Sequence, residues 1–187
     1  MQSARTEVIQ IARQKVGLSP LYLDTETTGS GPNDEVIEIG IIDDNGEVVF
    51  ESLVKPVGKV SEEARRVHGI SDEMLATAPR WMHVWPKVEA VLASKEVAIY
   101  NADFDLRLMQ QTHAKYKMRW VFPGQAFCVM KLYARFYGEW NARTRDFRWQ
   151  SLENAAKQCK IDLPNAHRGV ADTLLTRALL HYMAEAT

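Results

Sequence analysis

The sequence predicts an α/β domain in which a mixed sheet is flanked by helices. Three short apolar segments between residues 21 and 50 are separated by turn signals, which is typical of an antiparallel meander. From residue 97 onward, apolar strand-like runs alternate with helical patterns, which favours strands that join a sheet in parallel. At 187 residues, with 46% hydrophobic and 25% charged side chains, the chain has the size and composition of one globular domain.

The first segment, residues 1–20, predicts an accessory helix placed before the main domain of residues 21–187. Gly17 and Pro20 end it ahead of the first strand. Its apolar residues recur at helical spacing: Val8, Ile11, Ala12 and Val16. We expect this helix to pack against its own domain, and a docking role is the alternative.

Strands follow. An apolar run at residues 21–23 leads into Asp24, and a second run spans 36–42. The dipeptide Asn45-Gly46 then predicts a tight hairpin into residues 48–50.

Helices and strands alternate in the rest of the chain. Ser71 predicts a helix N-cap, and Pro86 predicts the first turn of a helix that runs through Leu92. A strand at 97–100 enters a helix through Asn101. The remaining predicted elements are a strand-helix unit at 127–137 and helices at 151–159 and 170–183.

Composition excludes several classes of protein. Lys and Arg total 23 against 24 Asp and Glu, so a nucleic acid must be held by local charge and not by the charge of the whole protein. Two cysteines, Cys128 and Cys159, are too few for a disulfide framework and fit a reducing compartment. No apolar stretch has the length of a signal peptide core or a membrane span. We therefore expect a soluble cytoplasmic protein without a membrane partner.

Asp24 and Glu26 lie two residues apart at the end of the first strand. Side chains alternate along a strand, so both carboxylates point the same way and raise each other's pKa unless a cation lies between them. An oxygen-ligated divalent ion such as Mg²⁺ or Mn²⁺ fits this pair. Taken alone, the spacing is more typical of two solvated acids at a strand end.

Two further acids occur on apolar helix faces. Asp105 shares a helical stripe with Met109, whereas Asp103 is spaced for a surface pair with Arg107. A metal ion or the helix N-terminus would serve as the partner of Asp105. Asp172 likewise lies on an apolar stripe of the last predicted helix.

His167 precedes Asp172 by five residues, and in a continuous helix the two side chains would point about 140° apart. Pro164 and Gly169 favour a loop or frayed turn instead, in which His167 can approach the site that Asp172 faces.

Residues 140–149 mix arginines with aromatic side chains. This composition is found in grooves that bind single-stranded nucleic acid, and it is equally consistent with a partly packed loop.

Taken together, these motifs resemble the DEDDh exonucleases, which include the proofreading epsilon subunit of bacterial DNA polymerase III, exonuclease X, ribonuclease T and oligoribonuclease. Residues 24–29 match the first acidic motif of the family, 101–105 the second and 167–172 the third. Residues 67–71 are similar to a stretch that lies along the bound 3′ end in the family. The spacing His-x-x-x-x-Asp, in place of Tyr-x-x-x-Asp, indicates the subtype with a histidine base.

The resemblance implies a ribonuclease H-like fold with a five-stranded mixed sheet, and it identifies 21–187 as the exonuclease domain. It implies that nucleoside 5′-monophosphates are released from the 3′ end of DNA. Two Mg²⁺ ions, for which Mn²⁺ substitutes, would be held by Asp24, Glu26, Asp105 and Asp172, with His167 as general base. The family positions expected to contact substrate are Thr27, Thr28, Gly29, His68, Ile70, Asn101 and Phe104. Ser30 departs from the bulky residue that the family often places there.

The resemblance leaves the substrate and the partners open. We favour single-stranded DNA with a free 3′ end, and the alternatives are an exoribonuclease or a non-catalytic subunit with a nuclease fold. A polymerase partner is conceivable, although no C-terminal tether follows the last predicted helix.

Overall fold

The computed structural model describes residues 2–163 and 167–187, with side chains from residue 4 onward. The elements in chain order are α1 (Gln2–Gly17), β1 (Leu21–Thr27), β2 (Val36–Ile42), β3 (Val48–Leu53), α2 (Glu62–His68), α3 (Asp72–Ala76), α4 (Trp81–Leu92), β4 (Glu96–Ile99), α5 (Ala102–Lys115), β5 (Gln125–Cys128), α6 (Val129–Tyr137), β6 (Trp140–Asn141), β7 (Asp146–Phe147), α7 (Leu152–Cys159) and α8 (Gly169–Glu185).

Within the described part of the chain, five strands form the main sheet in the order β3-β2-β1-β4-β5. β1, β2 and β3 pair antiparallel, and β4 and β5 extend the sheet in parallel. The prediction of a three-stranded meander followed by parallel strand-helix units is therefore confirmed. The Asn45-Gly46 hairpin forms between β2 and β3, and Gly46 has a φ of 89° that favours glycine.

Helices cover both faces of the sheet. The side chains of β1 alternate between these two faces, so they pack against different helices. Tyr22 is fully buried beneath α1, α6 and α8, whereas Leu21 and Leu23 pack with α4 and α5. Asp24 and Glu26 continue the Tyr22 face and therefore point toward α8.

The N-terminal helix α1 packs against α6 and α8. Val8, Ile9 and Ala12 are its buried apolar residues, while Ile11 and Val16 are only partly buried. The docked face thus includes Ile9, two residues before the predicted Ile11, because α1 contacts two helices at once.

The helix at Pro86 differs from its prediction. α4 begins at Trp81, so Pro86 lies inside the helix instead of in its first turn. Trp81, Trp85 and Val88 form a buried stripe, and their burial offsets the backbone hydrogen bond that Pro86 cannot donate. Ser71 caps α3 as predicted, since its hydroxyl accepts a hydrogen bond from Met74 N.

Among the described residues, no helix is long and apolar enough to cross a membrane.

Candidate active site

The site forms where the start of α8 meets the middle of the sheet, and two glycines allow that contact. Gly40 on β2 lies opposite Asp24 on β1 in the antiparallel register. A Cβ added to Gly40 would lie 2.6 Å from the carbonyl carbon of Gly169, a distance that Cβ atoms do not adopt. Glycine at this position therefore lets the α8 backbone approach the sheet beside the strand that carries Asp24.

Three carboxylates converge at this contact. Asp24 and Glu26 project from β1 and Asp172 from the first turn of α8, and one ligand oxygen of each lies within 4.8 Å of the others. Asp172 is buried, whereas Asp24 and Glu26 are partly exposed. Hard oxygen ligands at this spacing suit a divalent cation such as Mg²⁺.

Asp105 reaches the site from the opposite face of the sheet. It is buried in the first turn of α5, and its Oδ1 accepts hydrogen bonds from the Thr25 amide at 3.1 Å and the Thr25 hydroxyl at 2.7 Å. Thr25 points to the α5 face because it alternates with Asp24 and Glu26 along β1. Asp105 is therefore fixed next to the three converging carboxylates but outside that group.

Asp103 is exposed and Asp105 is buried, as helical facing predicted, but the partner of Asp103 differs from the predicted one. Asp103 is exposed and binds Lys131 on α6 at 2.6 Å. The expected surface pair with Arg107 does not form, since Arg107 instead donates to the Ser30 carbonyl at 3.4 Å. Asp105 is buried beside Met109, as predicted.

Burial raises the pKa values of these acids, and the crowding of negative charge raises those of Asp24 and Glu26 further. Burial, followed by the charges of Asp105 and Glu26, raises the pKa of Asp24 well above its ordinary value. Burial and then the charge of Asp172 raise the pKa of Glu26 to about 8. Burial also raises the pKa of Asp105, and the hydrogen bonds from Thr25 oppose that rise. A bound cation would oppose these shifts by stabilising the ionised carboxylates, so the donor set fits a metal site.

Glu38 anchors the loop that enters α8. It lies opposite Glu26 on β2 and is almost fully buried. Its carboxylate accepts a bidentate interaction from Arg168, with Nη2 at 2.6 Å and Nε at 3.0 Å, and a further bond from Gly169 N at 2.9 Å. These contacts fix the N-cap residue Arg168 and the first residue of α8, Gly169.

His167 immediately precedes that anchor and lies outside α8, with a left-handed φ of 45°. Its Nδ1 is 4.0 Å from Asp172 Oδ2, and 48% of its side chain is exposed. His167 therefore lies outside helix α8, as its predicted approach to the site that Asp172 faces requires. Pro164, to which part of that expectation was attributed, lies outside the described residues.

An open cleft of about 460 Å³ begins at Glu26. Its lining includes Thr27, Gly29, His68 and Phe104 from the predicted set, together with Ser30 and apolar contributions from Ala64 and Val67. The cleft has the size of a site for a small ligand such as a nucleotide.

His68 lines this cleft, but both of its ring nitrogens are turned into the protein. It is almost fully buried, and its Nδ1 accepts a hydrogen bond from Ile70 N at 2.9 Å, which places the ring proton on Nε2. Burial lowers the pKa of His68, so the neutral form is favoured. No protein acceptor of proper geometry binds Nε2 within the part of the chain that the structure describes.

Three predicted contact residues are placed differently. Ile70 is fully buried against Ile37 and Leu75, so its side chain packs in the core instead of lining the cleft. Asn101 stands at the start of α5 with a left-handed φ of 60° and does not line the cleft. The Thr28 hydroxyl donates to Asp34 Oδ1 at 2.7 Å, and its backbone amide and carbonyl are hydrogen-bonded to Glu35 and Ser61, so its polar groups hold the loop together.

Sequence reasoning missed the residues that hold the site residues in place. Asp34 closes the loop after β1 by binding Thr28 and the Gly31 amide, and Glu38 binds the loop before α8. The one available signal was Glu38 itself, a charged residue inside an otherwise apolar strand.

Comparisons with known proteins agree with this geometry. The sequence profile of the RNase_T family, described as Exonuclease, matches residues 21–180. The uncharacterized exonuclease CP81 of Escherichia phage 186 is 32% identical over 191 residues, which cover 99% of this chain and 98% of that protein.

A more distant relative is the DNA polymerase III subunit epsilon of Rickettsia typhi, 29% identical over 64% of this chain and 62% of that subunit. A solved structure of exonuclease X in complex with 5′-overhanging duplex DNA aligns with a TM-score of 0.66 and 27% identity, over 87% of this chain and 90% of that one. The mixed sheet with flanking helices is thus a ribonuclease H-like fold. With the acidic motifs in place, the chain belongs to the DEDDh-type 3′-to-5′ exonuclease family.

Proposed function

We propose that this chain removes nucleoside 5′-monophosphates one at a time from the 3′ end of DNA, using divalent cations, in the first instance Mg²⁺. The convergence of Asp24, Glu26 and Asp172 within 4.8 Å, beside a cleft of nucleotide size, is the observation that carries the proposal. The 3′-terminal nucleotide would occupy the cleft, and its scissile phosphate would lie at the carboxylates.

Four carboxylates would hold the cations: the converging three and Asp105. Thr25 occupies Oδ1 of Asp105, so Oδ2 is its available ligand atom. Cations bound there would supply the positive charge that attack of water on an anionic phosphodiester and departure of the 3′ oxygen require.

His167 would act as the general base. Its Nδ1 faces Asp172, so Nε2 is the atom that we propose takes a proton from the attacking water. The new bond joins the water oxygen to phosphorus, the bond to the 3′ oxygen of the preceding nucleotide breaks, and that oxygen is protonated as it leaves.

His68 would form part of the cleft wall beside the bound nucleotide, and Phe104 and Val67 would offer apolar surface to its base and sugar. Ser30 is too small to wedge between the last two bases. We therefore expect the grip on the terminal base pair to be weak and single-stranded ends to be preferred.

The experiment is digestion of matched DNA and RNA oligonucleotides labelled at the 3′ or the 5′ end, with Mg²⁺, with Mn²⁺ and with EDTA. The proposal predicts immediate release of 3′ label as a mononucleotide, a shortening ladder from 5′-labelled strands, and no reaction in EDTA. Faster digestion of RNA would identify an exoribonuclease instead. No cleavage of either polymer, with Asp24→Asn indistinguishable from wild type, would indicate a non-catalytic subunit.

Single strands, duplexes and duplexes with mismatched 3′ ends would be compared in the same assay. We expect the rate to decrease from single strands to mismatched and then to paired ends.

A further inference from the structure

A small hairpin outside the catalytic site combines exposed aromatic rings with unpaired positive charge. It is formed by β6 and β7 and lies between α6 and α7. Trp140 and Phe147 pack edge to face across it, with ring centroids 5.4 Å apart. Trp140 and Trp149 are 54% and 56% exposed, which is more than packing of the hairpin requires.

The tip of the hairpin is basic. Arg143 and Arg145 are exposed in the turn, and within the described residues neither makes an ion pair. Arg148 is less available because it binds Glu139 at 3.1 Å. Asp146 is the acid next to the turn.

The backbone of the turn holds these arginines outward. Arg145 has a left-handed φ of 52°, and the Arg143 amide donates to Asn141 Oδ1 at 3.0 Å. A non-glycine residue in this conformation is disfavoured, so the turn carries Arg145 at a cost in backbone energy.

A shallow groove separates the aromatic rings from the turn. It has a volume of about 310 Å³ and is lined by Asn141, Thr144, Asp146, Phe147, Arg148 and Trp149. Exposed aromatic faces beside arginines are the combination that binds successive bases and phosphates of a single strand with little regard to sequence.

Contacts connect the hairpin to the catalytic cleft. Lys131 lines a small cavity together with Phe147 and Trp149, and it also binds Asp103 at 2.6 Å. Asp103 is followed directly by Phe104, which lines the catalytic cleft. Lys131 therefore links the hairpin to the N-terminus of α5, the helix that carries Phe104 and Asp105.

We propose that this hairpin binds the single-stranded nucleotides that lie on the 5′ side of the scissile end. This inference rests on the proposed function, because that function defines which end of the strand occupies the cleft. Arg143 and Arg145 contact phosphates, and Trp149 provides a stacking surface. The positive charge of these arginines attracts the strand locally, although the whole protein has no net positive charge.

The test measures binding and digestion separately. Binding of 5′-fluorescein DNA of 3 and 15 nucleotides is followed by anisotropy in the Asp24→Asn background, which prevents digestion. The hairpin variants are Arg143→Ala/Arg145→Gly, in which glycine suits the left-handed position, and Trp149→Ala. Arg80→Ala/Lys87→Ala removes two exposed charges at α4 and is the matched control.

We expect each hairpin variant to bind the 15-mer about tenfold more weakly, which matches the loss of one stacked base or two phosphate contacts. The arginine variant should also reduce the slope of log affinity against log salt by about 1.4, since each single-strand contact contributes about 0.7. Trp149→Phe should restore binding. The control variant and all trimer affinities should be unchanged.

Unchanged 15-mer binding in both hairpin variants would overturn the inference, as would equal losses on the trimer and the 15-mer. Failure of the wild-type enzyme to digest any strand would count against the proposed function, while the anisotropy results would still report on the hairpin.

Discussion

At the scale of single residues, His167 is the one candidate catalytic group that is not a carboxylate, and it lies at the exposed edge of the carboxylate cluster. It is half-exposed, and its nearest site acid is Asp172 at 4.0 Å. We predict that His167→Ala retains the fold and cation binding but loses about 10²–10⁴-fold in the rate of the chemical step, the usual contribution of a general base. Single-turnover quench-flow on a 5′-labelled strand measures this step directly.

A control for His167→Ala is His83→Ala, which removes an exposed histidine on α4. It should leave the rate within about twofold. If His167→Ala matched wild type in single turnover, another group would have to accept the proton.

The sequence predicted the site acids because their chemistry has a short-range signature. Asp24 and Glu26 alternate on one strand, and Asp172 lies on an apolar helical stripe. The residues that hold these acids and the α8 loop in place have no such signature. Glu38 binds Arg168, which is 130 residues away in the sequence, and Thr25 binds Asp105, which is 80 residues away. Only the folded structure shows either pair.

At the scale of secondary-structure elements, the approach of α8 to β2 determines whether Asp172 meets the β1 acids. We predict that Gly40→Ala destabilises the protein by at least about 2 kcal/mol, because its Cβ would meet the Gly169 backbone and neither element can move without disturbing the core. Chemical denaturation in urea measures the loss as a lower midpoint.

Gly17→Ala provides the matched control, since an added Cβ there has no neighbour within 4 Å. Its stability should remain within about 1 kcal/mol of wild type, the range that glycine-to-alanine changes in helices produce. Equal destabilisation by both substitutions would contradict the close-contact explanation.

The Glu38–Arg168 contact is the second link between β2 and α8. Glu38→Gln leaves the guanidinium without its buried counter-charge, and we expect a loss of about 2 kcal/mol, below the usual range of about 3–5 because Arg168 is 40% exposed. Turnover should also fall, because Arg168 follows His167 directly in the chain. Thermal unfolding and single-turnover rates report the two effects.

Glu47→Gln is the control for Glu38→Gln. Glu47 is an exposed acid just before β3, and its substitution should change neither stability nor rate appreciably.

Elements with clear periodicity or turn chemistry were predictable, and those determined by long-range burial were not. The run at 36–42 and the Asn45-Gly46 turn are local signals, and both elements appear where expected. The start of α4 depends on Trp81 and Trp85 packing around His113, which no local pattern shows. The two-residue strands β6 and β7 are too short to leave a periodic signal.

At the scale of the whole molecule, the concentration of buried carboxylates couples folding to pH and to cations. In the metal-free protein the pKa of Glu26 is raised to about 8, and those of Asp24 and Asp105 are raised as well. The folded state therefore binds protons more tightly than the unfolded chain does. Stability is greatest when these acids are protonated and decreases as pH rises through the folded pKa values.

Two buried histidines act in the opposite direction over a lower range. Burial lowers the pKa values of His68 and His113, so their contribution to stability increases with pH until about 6.5 and is constant above it. Between pH 7.0 and 8.5 the carboxylate effect should therefore be observed without this opposing contribution.

We predict that in EDTA the melting temperature falls by about 2–4 °C between pH 7.0 and 8.5, equivalent to about 1 kcal/mol for a chain of this size. Adding Mg²⁺ should raise the melting temperature, and more at pH 8.5 than at 7.0, because the cation binds the ionised carboxylates and competes with their protons. In Asp24→Asn/Glu26→Gln the pH dependence in EDTA should flatten and the response to Mg²⁺ should largely disappear. Identical pH and Mg²⁺ responses in this variant and wild type would place the cation-binding group elsewhere on the molecule.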